Sequence, residues 1–365
     1  MRYVIFFFIL FICACKKQKV DDVEYIPIAL NNDIINASFF ISEASVVKLE
    51  TNDDCLIQRI SKIQFIDNKL YILDIDHNSL LIFNKDGSFD KKLAKFGGGP
   101  GEYIRILDFY IQDSLLYMMD FSTRSILKYD LNLAYLGKYR YNTMGFQFIV
   151  KDDVFWIYNM PATSKRDDYQ FICLNQKNRM LNQCLPRRFL NHPYNNHWEN
   201  VNVFATGKEN VYASPQFGNV IYAIKENDLL PVYEIKFDKR NFPENENIND
   251  YDISSYGFNY MIKHSYYLSE KYFIFEFFID NVRHFCFYDP NNKQATSGIV
   301  KNDLIKDFRF FPRWGNGNYL IEEVASYHIT EDFMFLSNYN EQLKDIQEDD
   351  NSVIIIYTLK TRTCT

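Results

Sequence analysis

The sequence has no surplus of positive charge: 40 Lys and Arg stand against 47 Asp and Glu, a net charge of −7 over 365 residues. A nucleic-acid backbone requires clustered Lys and Arg, so nucleic acid is excluded as a partner. Glycine (13) and proline (10) are modest in number. No pair of the cysteines has CxxC spacing, which argues against a zinc site. GxSxG, HExxH and a defensible Ser-His-Asp order are absent. The acidic runs Asp238–Asp252 and Glu348–Asp350 lack EF-hand spacing, and Asp74-Ile-Asp76-His-Asn78 lacks the glycine such a loop needs. No metal and no cofactor are expected. What is abundant is aromatic: 33 Phe, 27 Tyr and 3 Trp, 17% of the chain. Aromatic residues favour strands, and 47% hydrophobic content excludes disorder. The chain reads as all-β.

The first residues give an address. Arg2 precedes an apolar run from Val4 to Ala14, then Cys15 and Lys16-Lys17. That run falls short of the ~20 residues that span a membrane and has the form of a secretory signal. Ile12-Cys13-Ala14 before Cys15 resembles the bacterial lipobox, in which the cysteine is lipidated and becomes the mature N-terminus. The expected organisation is a signal peptide over 1–14, a lipidated terminus and partly polar tether over 15–45, and a folded domain over 46–365. Two or three acyl chains would hold the protein on a membrane. Of the remaining cysteines, Cys173 and Cys184 flank a polar turn, so they either face each other across a hairpin or stay as buried thiols.

An internal repeat indicates the fold. Sliding Phe65–Phe89 by 46 residues onto Ile111–Tyr135 matches Leu70 with Leu116, Asp74 with Asp120, Ser79 with Ser125, and Phe83 with Tyr129. Each unit is a strand ending in Asp, a polar turn, and a strand ending in an aromatic residue. Fainter copies include Val154–Tyr158 with Tyr169–Cys173, Val211–Ser214 with Val220–Ile224, and Tyr272–Phe278 with His284–Tyr288. Phe333–Leu336 and Val353–Tyr357 are expected to end a sixth. Repeats of strands without helical period select a propeller. Six blades over Val46–Thr365 gives about 53 residues each. The unpartnered strand beginning at Val46 is expected to pair with the last blade and close the ring.

Asp74…Asn78…Leu81-Ile-Phe83…Asp86-Gly87, followed by Lys95-Phe-Gly-Gly-Gly-Pro-Gly-Glu-Tyr103, resembles the NHL repeat. The whole chain resembles the six-bladed β-propeller lipoproteins abundant in Bacteroidetes, through the lipobox, the Lys48-Leu-Glu-Thr strand, the glycine loop and the Val353–Tyr357 close. The resemblance implies a six-bladed propeller of NHL/TolB-like type and an envelope, outer-membrane location. It implies no reaction, so no catalytic residue is carried over.

Gly97, Gly98, Gly99, Pro100 and Gly101 suggest a phosphate cradle, but no helix and no Lys-Ser/Thr follows, so a blade-to-blade crossover is the expected role. Asp74 and Asp120 are expected to accept N–H groups from the turns that follow them. In a four-stranded blade the turn between strands two and three shares an end with the crossover to the next blade. His77, Arg105, Arg124, Arg283, Arg313 and Trp314 are therefore the candidate ligand-binding residues at the channel mouth. His192 and His197, with Trp198, form a second cluster, better suited to a contact loop than to a metal. The function expected is a binding module for a glycan, peptide or envelope protein. The alternative is a hydrolase or lyase using the central channel, with or without the assistance of a metal, which would need carboxylates or histidines converging there.

Overall fold

The computed structural model describes residues 23–29, 33–159, 169–186, 202–207, 210–215, 218–241, 263–280 and 282–362. The first strands are Glu24–Ile28 (β1), Ile34–Asn36 (β2) and Ile41–Lys48 (β3). Blade 1 follows as Ile60–Ile66, Lys69–Asp74, Ser79–Asn84 and Phe89–Leu93 (β4–β7). Blade 2 is Ile106–Gln112, Leu115–Asp120, Ser125–Asp130 and Tyr135–Arg140 (β8–β11). Blade 3 is Gly145–Lys151, Val154–Asn159, Tyr169–Asn175 and Met180–Pro186 (β12–β15). Blade 4 is Phe204–Thr206, Val211–Ala213, Val220–Lys225 and Asp228–Phe237 (β16–β19). Blade 5 is Tyr266–Leu268, Phe273–Ile279, Val282–Asp289 and Gln294–Lys301 (β20–β23). Blade 6 is Trp314–Asn316, Tyr319–Val324 and Val353–Leu359 (β24–β26), completed by β3. This is an all-β, six-bladed propeller, closed by the antiparallel pairing of β3 with β26.

The hairpins follow from local chemistry. Asp67-Asn68, Asp113-Ser114 and Asp152-Asp153 each place two residues at positive φ between the first and second strands of blades 1, 2 and 3. That is the turn whose twist matches an antiparallel pair, and short polar side chains tolerate it best. The middle strands are buried on both faces, as in Lys69–Asp74 and Ser79–Asn84, because each sheet is sandwiched between its neighbours. The apolar core accordingly runs along the seams between blades. Leu73, Leu80, Phe109 and Leu127 fill the seam of blades 1 and 2, and Phe40, Phe285, Phe287 and Ile355 that of blades 5 and 6.

Two sequence expectations are corrected. The folded domain does not begin at Val46: β3 starts at Ile41, β1 adds in parallel to β19 at the edge of blade 4, and β2 adds in parallel to β23 at the edge of blade 5. Ile26 and Ile28 are buried in the seam of blades 4 and 5 while Tyr25 and Pro27 face out. An edge strand tolerates Pro27, which has no N–H to donate. Phe333–Leu336 is not a strand either. Within the insertion between β25 and β26, a short helix Ser326–Glu331 (α1) is followed by a 3-10 turn at Met334–Asn338. There Leu336 is fully buried and the Phe333 ring packs edge-on against Phe308. The strand that pairs with β26 in place of Phe333–Leu336 is β25. Among the described residues no helix is long and apolar enough to cross a membrane.

Candidate functional site

Asp74 and Asp120 each end the second strand of a blade and clamp two segments at once. Asp74 accepts the backbone N–H groups of Gln58 (2.9 Å) and Arg59 (3.2 Å) from the incoming chain, and those of Asp76 and His77 (both 3.2 Å) from the turn. Asp120 does the same with Ile104 (3.0 Å), Arg105 (3.2 Å), Ser122 (3.0 Å) and Thr123 (3.3 Å). Every partner is displaced by the 46-residue repeat. Both carboxylates are fully buried, so these bonds replace water that the strand ends would otherwise lose.

The clamps fix the start of each innermost strand at one end of the channel, where a cavity of about 420 Å³ opens. Its wall is drawn from blades 1, 2, 3, 4 and 6, including Arg59, Lys62, Arg105, Asp108, Phe146 and Glu323. Below it the channel narrows to a space of about 50 Å³ around Gln64, Tyr110 and Asn316. Lys62 Nζ lies 2.7 Å from Asp108 Oδ1, and Asp108 Oδ2 also accepts the Phe148 N–H (3.0 Å). Burial pushes the Asp108 carboxyl up from the usual range, and Lys62 opposes the rise. Glu323 is likewise raised by burial and opposed by Arg313, whose Nη1 is 3.2 Å away. Ser352 Oγ donates to the other Glu323 oxygen.

The six candidates for the mouth part company here. Arg105, Arg313 and Trp314 line the cavity; His77, Arg124 and Arg283 do not. Trp314 is only 5% exposed, with its indole N–H donated to the Ser61 carbonyl and the Arg313 guanidinium over its ring, so it is chiefly a packed residue. His77 is exposed and its Nδ1 is 2.8 Å from Asp74 Oδ2, an extension of the clamp. Arg124 sits in the turn at φ 49 and reaches Met144 Sδ. Arg283 is buried against the Glu276 carboxylate and the Pro312 carbonyl, between the rings of Phe285 and Phe311.

The glycine loop runs between β7 and β8 and carries its own anion. The Glu102 carboxylate accepts the Gly99 N–H (2.8 Å) and fills the turn, so that a Cβ on Gly97 (φ +147) would stand 2.1 Å from it. Gly101 adopts φ +74, and its carbonyl accepts the Tyr129 hydroxyl. Cys173 and Cys184 are free, because the register sets Cys184 against Phe171 and Cys173 against Asn182. Burial pushes both thiols up to about 12. Cys15, His192, His197 and Trp198 lie outside the described residues. Among those described, no three His, Cys, Asp or Glu side chains group as metal ligands do.

A family profile described as a domain of unknown function, DUF4934, matches residues 23–358. The chain belongs to the DUF4934 family. The matched span takes in β1 and β2, so the edge strands are part of the DUF4934 domain. Among solved structures the domain is similar to a protein of Bacteroides fragilis NCTC 9343 described as exported, at 20% identity and a TM-score of 0.72, covering 92% of this chain and 100% of that one. It is also similar to a DUF4221 family member from Bacteroides vulgatus ATCC 8482, at 11% identity and a TM-score of 0.50, covering 88% and 97%. These likenesses bear on the fold. No curated protein matches the chain.

The sequence reading overlooked Arg59, Lys62, Asp108 and Glu323, although the signal for three of them was in the repeat. The same slide that pairs Asp74 with Asp120 sets Lys62 on Asp108 and Arg59 on Arg105. Equivalent positions of neighbouring DUF4934 blades face one another around the channel, so opposite charges there form a pair. Glu323 had no such signal, since the slide that sets Glu276 on Glu322 sets the apolar Phe277 on Glu323.

Proposed function

We propose that the protein is a cell-envelope lipoprotein, anchored through Cys15, whose propeller binds a glycan, peptide or partner protein at the channel mouth. The observation that carries this reading is the cavity of about 420 Å³ lined from five blades by rings and charged groups. Ligand sites of this size, built by loops and strand ends on a rigid scaffold, are where function concentrates. Binding is favoured over acid–base chemistry because the two carboxylates of the wall, Asp108 and Glu323, are each held by a cation. The envelope location is supported by the signal-like first fifteen residues and by an exported protein with the same fold.

The test is the melting temperature of the full chain against a panel of envelope glycans and peptides. A ligand at ~100 times its dissociation constant stabilises by ~2.7 kcal/mol, a readily measured shift. The shift should disappear in Phe146→Ala, which removes a half-buried ring from the wall without touching an ion pair. A panel without any shift, or a shift that survives Phe146→Ala and Arg313→Ala alike, would overturn the assignment of the mouth.

A further inference from the structure

Arg59 and Arg105 occupy the same place in consecutive blades, each directly before an innermost strand, and with Arg313 of blade 6 they stand on the wall of the mouth. Two have carboxylates of their own. Arg59 meets Asp76 through two parallel bonds, Nε to Oδ2 at 2.9 Å and Nη2 to Oδ1 at 2.6 Å, and Arg313 meets Glu323. The backbone around Arg105 is held as it is around Arg59. Each N–H donates to its clamp aspartate at 3.2 Å, and each carbonyl accepts the N–H of the residue after that aspartate. The repeat replaces Asp76 with Ser122, and the exposed Arg105 guanidinium has no side-chain partner among the described residues.

We propose that Arg105 anchors a carboxylate of the ligand, in the position that the Asp76 carboxylate takes beside Arg59. This deepens the mouth-binding reading and rests on it. The guanidinium fork matches a planar carboxylate through two parallel hydrogen bonds. The cavity around it has room for the sugar ring or short peptide that would bear the acid. The ligand class is therefore a small or terminal carboxylate.

Its source is decided by two matched pairs of probes titrated calorimetrically into the full chain: glucuronate against glucose, and N-acetylalanine against N-acetylalaninamide. At least one acid should bind at least about tenfold more tightly than its neutral counterpart, the scale of one charge-assisted bond. Ser122→Asp, which gives Arg105 the carboxylate that Arg59 already has, should reduce acid binding by a similar factor, as should Arg105→Ala. Ser122 is an exposed turn residue, and an unchanged ligand-free melting temperature is the control for folding. Acids that bind wild type and Ser122→Asp equally would overturn the anchor. Acids and neutral probes binding alike, and both lost in Phe146→Ala, would overturn it while leaving the mouth as the site. No binding of either acid, with a panel that also gives no shift, would remove both readings together.

Discussion

Blades 1 and 2 secure their turns with a carboxylate at the end of the second strand, whereas blades 5 and 6 carry a buried carboxylate in the middle of that strand. Asp74 and Asp120 each take four backbone N–H groups at matching positions. In blade 5, Glu276 is 2% exposed and holds Arg283 and His264 (Nδ1 at 2.9 Å). Burial alone would raise its carboxyl; Arg283 and His264 outweigh burial and hold it below the usual range. In blade 6, Glu322 is 1% exposed, accepts the Phe311 N–H (2.8 Å) and the Tyr357 hydroxyl (3.2 Å), and leaves Oε1 without a partner among the described residues. Burial pushes it up to about 7, against the weaker pull of Arg309 and Arg283. A clamp ties backbone to backbone within a blade, while the mid-strand carboxylates hold groups of their own blade and Arg283 alone reaches across the seam, to the Pro312 carbonyl.

The largest expected effect breaks the Glu276 network. Glu276→Gln leaves the Arg283 guanidinium buried without a counter-charge and should cost about 3–5 kcal/mol in denaturant unfolding. A loss no greater than that of a clamp mutant would erase the distinction drawn here.

Glu322 sharpens it through pH. Its folded pKa, about 7, lies above the 4.5 of the free group, so the folded state holds the proton more tightly. Stability is then full below about 4.5, falls as pH rises towards 7, and stays reduced above, by on the order of 3 kcal/mol. Glu322→Gln should flatten that descent in thermal melts across pH 4–8. A wild-type curve already level over this range would refute the assignment. Lys263 of blade 5 has the opposite sign: burial lowers it from 10.5 to about 7, so it adds stability as pH rises from 7 towards 10.5, and Lys263→Met should remove that rise.

The clamps come next. Asp74→Asn and Asp120→Asn each weaken four N–H bonds to a buried charge and should cost about 2–3 kcal/mol, with nearly equal losses. Unequal losses would show that the repeat is one of sequence only. The smallest effect is a gain. Arg124 adopts φ 49 where blade 1 has Asn78 at φ 51, so Arg124→Asn should stabilise by about 0.5–1 kcal/mol and leave ligand affinity unchanged.

Legibility followed the same division. The strands of blades 1 and 2 and the clamp aspartates are short-range patterns that recur at 46 residues and can be read by sliding the sequence on itself, while the closing role of the Val46 strand was read from its want of a partner nearby. The edge strands Glu24–Ile28 and Ile34–Asn36 were not legible, since five and three residues among polar neighbours carry little periodicity. Of the candidates for the mouth, Arg105 and Arg313 were placed there because strand count alone decides which end of the channel a turn occupies. Arg283 was misplaced because the same count says nothing about whether a side chain enters the cavity or turns into a seam.

By itself the sequence determined the all-β composition, the sixfold repetition and the end of the channel at which the turns gather, because these depend on local periodicity and chain order. Only the tertiary structure decided which charges are answered. Arg59 finds Asp76, Arg313 finds Glu323, Lys62 finds Asp108 from the next blade, and Arg105 finds none among the described residues. An ion pair is a matter of distances of about 3 Å between side chains, and the pairing of strands and the packing of neighbouring blades set those distances.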